Sequence, residues 1–166
     1  MPRAEVCDGL DNDCDERTDP SGPCPDGCSG GTHADHTYLF CGVASSALTA
    51  LSRCQDHGML PVVISSQAEN AFVHSNASGT TWIGASDAGS EGTWLWADGT
   101  QFWSGDEGGA PVQGRFNAWL SGQPNDAGQG QGQAREDCAI LLGSSAGWND
   151  VSCNSAGFRA SCESAD

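Results

Sequence analysis

The chain has 166 residues, enough for one domain of ordinary size with a tail and cramped for two. It carries 22 Asp plus Glu against six Arg and no Lys, and the formal net charge of -16 excludes a basic patch for nucleic acid or anionic lipid and favours multivalent cations as partners. Only 37% of residues are hydrophobic, yet six Trp and five Phe supply large units of buried area, so a loop-rich core with little helix is expected.

Residues 1–27 form a first unit, an acidic Cys/Asp segment and linker. Asp8, Asp11, Asp13, Asp15 and Asp19 surround Cys7 and Cys14, and a Pro/Gly/Cys-rich stretch of turns follows. The alternation of Asp11, Asp13 and Asp15 is that of a calcium loop, which makes them candidate ligands. No Gly follows Asp15, however, and the twelfth position from Asp11 is Gly22 rather than Glu, so this is not an EF-hand. A disulfide-closed calcium loop and an acidic disordered tail both remain open readings.

Residues 28–166 read as the second unit. His36 to Phe40 is β-prone and suits a first strand. Ala44 to His57 places Leu48, Leu51 and Cys54 on one helical face, with Gly58 as the stop. After the apolar segment Met59 to Ile64, Ser66 and Glu69 form a capping box for a second helix with Ala68, Ala71, Phe72 and Ser75 inward. From Thr80 onward the pattern is of short strands: 81–84, 93–96, 139–142 and 157–162. Two early helices followed by such strands imply an α+β domain with an antiparallel sheet. Between Asp98 and Cys138 lies a long segment of little periodicity, interrupted by Trp103, Phe116 and Trp119, and loops of that length are usually functional. Its Gly128 to Gln133 run is of low complexity.

Nine cysteines, spread rather than grouped in paired knuckles, indicate disulfides and an oxidising compartment. No run reaches the roughly 18 to 20 apolar residues of a membrane span. The first residues do not begin a signal peptide, so an export signal is expected on sequence beyond this chain. The four His (33, 36, 57 and 74) show neither metal spacing nor a nucleophile partner and are read as surface or turn residues. No catalytic set of Ser/His/Asp or Cys/His is evident, so the chain is not expected to be an enzyme.

Residues 28 to 163 resemble the C-type lectin-like family in an ordered set of pieces. These are Trp82-Ile83-Gly84, Trp94 to Gly99, Phe116 to Trp119, Gln123-Pro124-Asn125, Glu136-Asp137-Cys138, Trp148-Asn149-Asp150, Cys153 and Cys162-Glu163. The resemblance implies the long form of that α+β fold: two helices, small antiparallel sheets and a long calcium-binding loop. It also implies disulfides Cys28–Cys41, Cys54–Cys162 and Cys138–Cys153. The N-terminal segment resembles a metal-binding motif of bacterial secreted and surface proteins, so a bacterial secreted or surface protein is expected.

The resemblance further implies a principal calcium (Ca2+) site of Gln123, Asn125, Glu136, Asn149 and Asp150, with Gln123-Pro124 cis, a bond tolerated mainly before proline. An auxiliary site of Asp87, Glu91, Asp126 and Asp137 is implied too, with a contribution from Glu136. In sugar-binding members two adjacent hydroxyls of a hexose coordinate the principal calcium, which would make Gln123, Asn125, Glu136 and Asn149 sugar-binding and a glycan or glycoprotein the partner. This chain has Gln-Pro-Asn, neither the mannose-type Glu-Pro-Asn nor the galactose-type Gln-Pro-Asp. The loop of residues 126–135 lacks the aromatic ring of galactose-type members. Two readings follow: a calcium-dependent lectin module, or a calcium-stabilised adhesion or protein-recognition domain that does not touch sugar. Trp148 is expected in the core rather than as a ligand platform, and Trp82, Trp94, Trp96 and Trp119 are expected to pack.

Overall fold

The computed structural model describes residues 27–44, 46–127 and 135–164. Asp11, Asp13 and Asp15, the cysteines at 7, 14 and 24, and the Gly128 to Gln133 run lie outside the described residues. Ten strands and two α-helices follow in the order β1 (Ser29–His33), β2 (His36–Ala44), α1 (Ala47–Asp56), β3 (Met59–Pro61), α2 (Gln67–Asn76), β4 (Thr81–Ser86), β5 (Thr93–Trp96), β6 (Gln101–Ser104), β7 (Ala110–Pro111), β8 (Cys138–Leu141), β9 (Trp148–Val151) and β10 (Phe158–Ser164).

The strands pair in the order β1-β2-β10-β4-β5-β6-β7, with β3 against β10, and β8 joining β4 to β9. The expectation of an antiparallel sheet needs one correction. β10 runs parallel to β4, with Arg159 beside Thr81 and Ala160 beside Trp82, so the sheet is mixed. Alternation along a strand reports which face is buried but carries no information on direction.

β2 and β10 form the centre. Period-two alternation sends Tyr38 and Phe40 into a cluster with Val62, Ile64, Val73, Trp94, Trp96, Trp103 and Trp148, and Leu39 and Cys41 into a second cluster with Ala50, Cys54, Met59 and Trp82. A strand buried on both faces therefore reads as a nearly continuous apolar run. Cys28–Cys41, Cys54–Cys162 and Cys138–Cys153 are all bonded, as the resemblance implied.

Both helices differ in detail from the sequence reading. β2 continues to Ala44, so α1 begins only at Ala47, with Ser46 as N-cap accepting from the Thr49 N–H at 3.1 Å. Its buried residues are Ala50 and Cys54, while Leu48 is 69% exposed. Leu48 lies about 200° around the helix from Ala50, so the two cannot share a face. Gly58, at φ +69, ends the helix as expected.

α2 is capped by Ser66, but the reciprocal bond is displaced by one residue. Glu69 Oε2 accepts from the N–H and hydroxyl of Ser65, both at 2.8 Å, and Oε1 accepts from the Tyr38 hydroxyl at 2.8 Å. The buried face is Glu69, Asn70 and Val73, whereas Ala68, Ala71 and Ser75 are exposed. Phe72 is half-buried against the rings of His33, Tyr38 and Phe40. A hydropathy pattern cannot find a helix whose inner face is polar and satisfied by hydrogen bonds from distant segments.

The segment after Asp98 is more ordered than its sequence suggests. β6 pairs with β5 through Trp94 and Trp103. Beyond it the aromatic residues hold the chain to the body: Phe116 packs edge-on to Trp148 at 5.7 Å, and Trp119 contacts Trp94 at 4.8 Å. Trp82, Trp94, Trp96 and Trp148 are buried, as expected.

Candidate functional site

β9 supplies one limb of the site. It pairs with β8 in antiparallel register, which places Asn149 opposite Ile140 and Asp150 opposite Ala139. Trp148 turns into the core, so Asn149 turns outward, and Asp150 is buried beneath the loop that carries Gln123 to Ala127.

That loop is tied to β9 by its backbone. The Trp148 N–H donates to Ala118 O at 2.8 Å, and the Leu120 N–H donates to Trp148 O at 3.0 Å. The chain then turns at Gly122 and passes through the cis Gln123-Pro124 bond. Asp150 Oδ2 accepts from the N–H groups of Asn125 and Asp126, both at 2.8 Å. The Ala127 N–H lies 2.9 Å from Asn125 Oδ1 and 3.0 Å from Glu136 Oε2, and the Glu136 N–H donates to Asp126 Oδ1 at 3.0 Å. Asn125, Asp126, Glu136 and Asp150 are thus one hydrogen-bonded cluster built from segments far apart in the chain. Asn149 stands beside it, its amide donating to Asp150 O at 2.8 Å.

Two oxygens, Asp150 Oδ1 in this cluster and Gln123 Oε1 on the loop before it, are buried without a hydrogen-bond donor among the described residues. Buried oxygens are normally satisfied, so such a pair calls for a partner. Burial pushes the carboxyls of Asp150 and Glu136 above the usual range, and the negative neighbours Asp126 and, for Glu136, Asp150 add to it. An oxygen-only donor set with two carboxylates and three amides has the chemistry of a hard-cation site rather than a soft-metal one. Among the described residues no three His, Cys, Asp or Glu side chains are grouped so as to hold a metal ion.

A second acidic group lies beside the first. Asp87 is 4% exposed; its Oδ2 accepts from the Gly92 N–H at 2.9 Å, while its Oδ1 has no donor. Asp137 Oδ1 is likewise buried without a donor, and the Asp137 carbonyl accepts from Ser86 Oγ at 2.7 Å and from the Asp87 N–H at 3.2 Å. Burial, with the charges of Glu91 and Asp137 adding, pushes the Asp87 carboxyl up to about 6. Glu91 is also raised, by burial and then by Asp126, and Arg135 opposes the rise through an ion pair at 3.0 Å. The role of Arg135 was missed in the sequence, although a single cation in so acidic a loop was the signal for it. The Ala127 N–H could not have been found, because a backbone donor leaves no trace in residue type.

Fold and site together define an α+β recognition domain stapled by disulfides, with an oxygen-rich loop at one end. The family model for the "Lectin C-type domain" matches residues 43–164. A mouse protein, CD209 antigen-like protein D, is 33% identical over 155 residues, 92% of this chain and 53% of that protein. C-type lectin domain family 4 member M of Nomascus concolor is 38% identical over 109 residues, 63% of this chain and 23% of that protein. The chain therefore spans between about a quarter and about half of the length of these relatives. Among solved structures, the cow C-type carbohydrate-recognition domain of CD23, determined in the presence of GlcNAc2Man3 oligosaccharide, has a TM-score of 0.66 at 29% identity, covering 81% of this chain and 91% of that one. The human Scavenger Receptor C-type Lectin carbohydrate-recognition domain has a TM-score of 0.68 at 27% identity, covering 82% and 96%.

The chain belongs to the C-type lectin domain family. Domains of this family are in general binding modules rather than enzymes, and they typically bind calcium. The named relatives are animal proteins, so the expectation of a bacterial protein gains no support from them. Among the described residues no helix is long and apolar enough to cross a membrane.

Proposed function

We propose that this domain is a calcium-dependent carbohydrate-recognition module of a secreted or cell-surface protein, with a glycan or glycoprotein as partner. The observation that carries the reading is the buried, donorless Asp150 Oδ1 in a cluster where Asp150 Oδ2, Asn125 Oδ1 and Glu136 Oε2 already accept backbone N–H groups, together with the buried, donorless Gln123 Oε1 on the loop before it. Gln123, Asn125, Glu136, Asn149 and Asp150 are the residues that would hold the principal calcium. Asp87, Glu91, Asp126 and Asp137 would hold an auxiliary one, supported by the donorless Oδ1 atoms of Asp87 and Asp137. Bound calcium supplies direct coordination to vicinal sugar hydroxyls, and Gln123, Asn125, Glu136 and Asn149 hydrogen-bond the same hydroxyls. The three disulfides suit an extracellular setting.

Two carboxylates in the principal set, Glu136 and Asp150, give lower ligand charge than three would, so its calcium affinity is set low. Amides at both Gln123 and Asn125 present donors on both sides of the ion, without the carboxylate acceptor that mannose- and galactose-type motifs place there. This difference favours, as a second reading, a calcium-stabilised protein-recognition domain that leaves sugar untouched.

A glycan array run with calcium and with chelator separates the two. Calcium-dependent glycan signal supports the lectin reading, and calcium-induced thermal stabilisation without glycan signal supports the second. Asp150→Ala is expected to abolish the calcium-induced melting shift, and an unchanged shift would reject Asp150 as a ligand.

A further inference from the structure

Trp148 is the junction of the site. Its backbone holds both ligand-bearing limbs: its N–H and C=O bind residues 118 and 120, ahead of Gln123-Pro124-Asn125, and its carbonyl leads directly into Asn149 and Asp150. Its ring is enclosed edge-on by Trp96, Phe116, Trp119 and Phe102, at centroid distances of 5.4 to 5.9 Å. Such packing fixes where the ring lies but leaves its one polar atom to be satisfied.

That atom, Nε1, donates to Asn70 Oδ1 at 2.8 Å, across 78 residues of chain. The other end of the same amide donates to Ala146 O at 2.9 Å. Ala146 is held at φ +57, in the left-handed region that a residue with a side chain rarely adopts, in the turn that leads into β9. Asn70 is 1% exposed on the inner face of α2. The buried Asn70 amide thus joins the entry turn and the junction residue, one end bonded to each.

We infer that Asn70 is a positioning residue for the cation site. It fixes the Ala146 turn and the Trp148 ring together, and so sets the register of Asn149 and Asp150 against Asn125 and Asp126. This inference rests on the calcium reading above. Asn70 bonds none of the candidate ligands itself and acts through Ala146 and Trp148, as residues that orient metal ligands from behind do.

Asn70→Leu keeps the number and branching of the side-chain heavy atoms and removes both hydrogen bonds. Val73→Ala, one turn along the same buried face, serves as the control that loses core packing while leaving both Asn70 hydrogen bonds in place. Calcium titration by calorimetry is expected to show affinity reduced about 10- to 100-fold in Asn70→Leu and little changed in Val73→Ala. Trp148→Phe removes the indole donor, and its effect on affinity should be strongly non-additive with that of Asn70→Leu. Equal affinities in Asn70→Leu and Val73→Ala, or additive effects with Trp148→Phe, would overturn the inference. Should Asn70→Leu not fold, Asn70→Ala, which also removes both hydrogen bonds, replaces it under the same comparison with Val73→Ala.

Amide hydrogen exchange in calcium-free protein separates this inference from the calcium reading. The N–H groups of Asn125 and Asp126, which bond Asp150 Oδ2, are expected to lose more protection in the Asn70 variant than in Val73→Ala. A wild-type protein that takes no calcium defeats the calcium reading, and equal exchange in the two variants defeats the positioning role whether or not calcium binds.

Discussion

Asp87→Asn should stabilise the calcium-free protein at neutral pH and weaken it in calcium. In the folded state the Asp87 carboxyl is raised from 3.8 to about 6, chiefly by burial. Between those two values the folded state holds a proton that the unfolded chain has released, so stability falls as pH rises through the window. A displacement of about two pH units corresponds to about 3 kcal/mol lost between pH 4 and pH 7. Asn keeps an acceptor for the Gly92 N–H and carries no charge, so the variant lacks that loss. Urea unfolding in calcium-free buffer should give equal stabilities near pH 4 and a variant more stable by up to about 3 kcal/mol at pH 7. In saturating calcium the order should reverse at pH 7, because the wild-type carboxylate then has a cation to face. A difference between variant and wild type that stays constant from pH 4 to pH 7 without calcium would refute the account of Asp87 as a buried charge awaiting a cation.

Two further outcomes test the scaffold. Cys54→Ala opens the bridge to Cys162 that spans 108 residues, and the chain-entropy model sets the loss at about 4 to 5 kcal/mol, read as a lower unfolding midpoint. Because neither cysteine bonds a residue of the cluster around Asp150, calcium affinity of the folded fraction should stay near that of the wild type. Gly84→Ala should lower the unfolding midpoint sharply, since its Cβ would lie 2.6 Å from Pro61 O and 2.9 Å from Val62 O, both backbone atoms with little room to move.

The family and the topology's cast of elements were legible in the sequence because they rest on local signals. Ser66 with Glu69 marked a helix start, Gly58 marked a stop, and the ordered Trp and Cys pieces marked the scaffold. The bonded pairs Cys28–Cys41, Cys54–Cys162 and Cys138–Cys153 follow the resemblance. The inner faces of the helices were not legible. Leu48 looks like a core residue by type and faces solvent, whereas Glu69 and Asn70 look like surface residues and are buried. Their burial depends on Tyr38, Ser65, Ala146 and Trp148 arriving as partners, and no helical window contains all four.

The candidate site divides in the same way. The family resemblance marked Gln123, Asn125, Glu136, Asn149 and Asp150 as the oxygen-bearing set, and the acidic balance marked a cation as a natural partner. Only the tertiary structure decided which of those oxygens are already taken by N–H groups and which are not, and that Arg135 pairs with Glu91. It also decided that the last strand lies parallel to β4. Composition and spacing are properties of a chain read one window at a time. Hydrogen-bond satisfaction, burial of charge and strand direction are set by segments that meet only when the whole chain has folded.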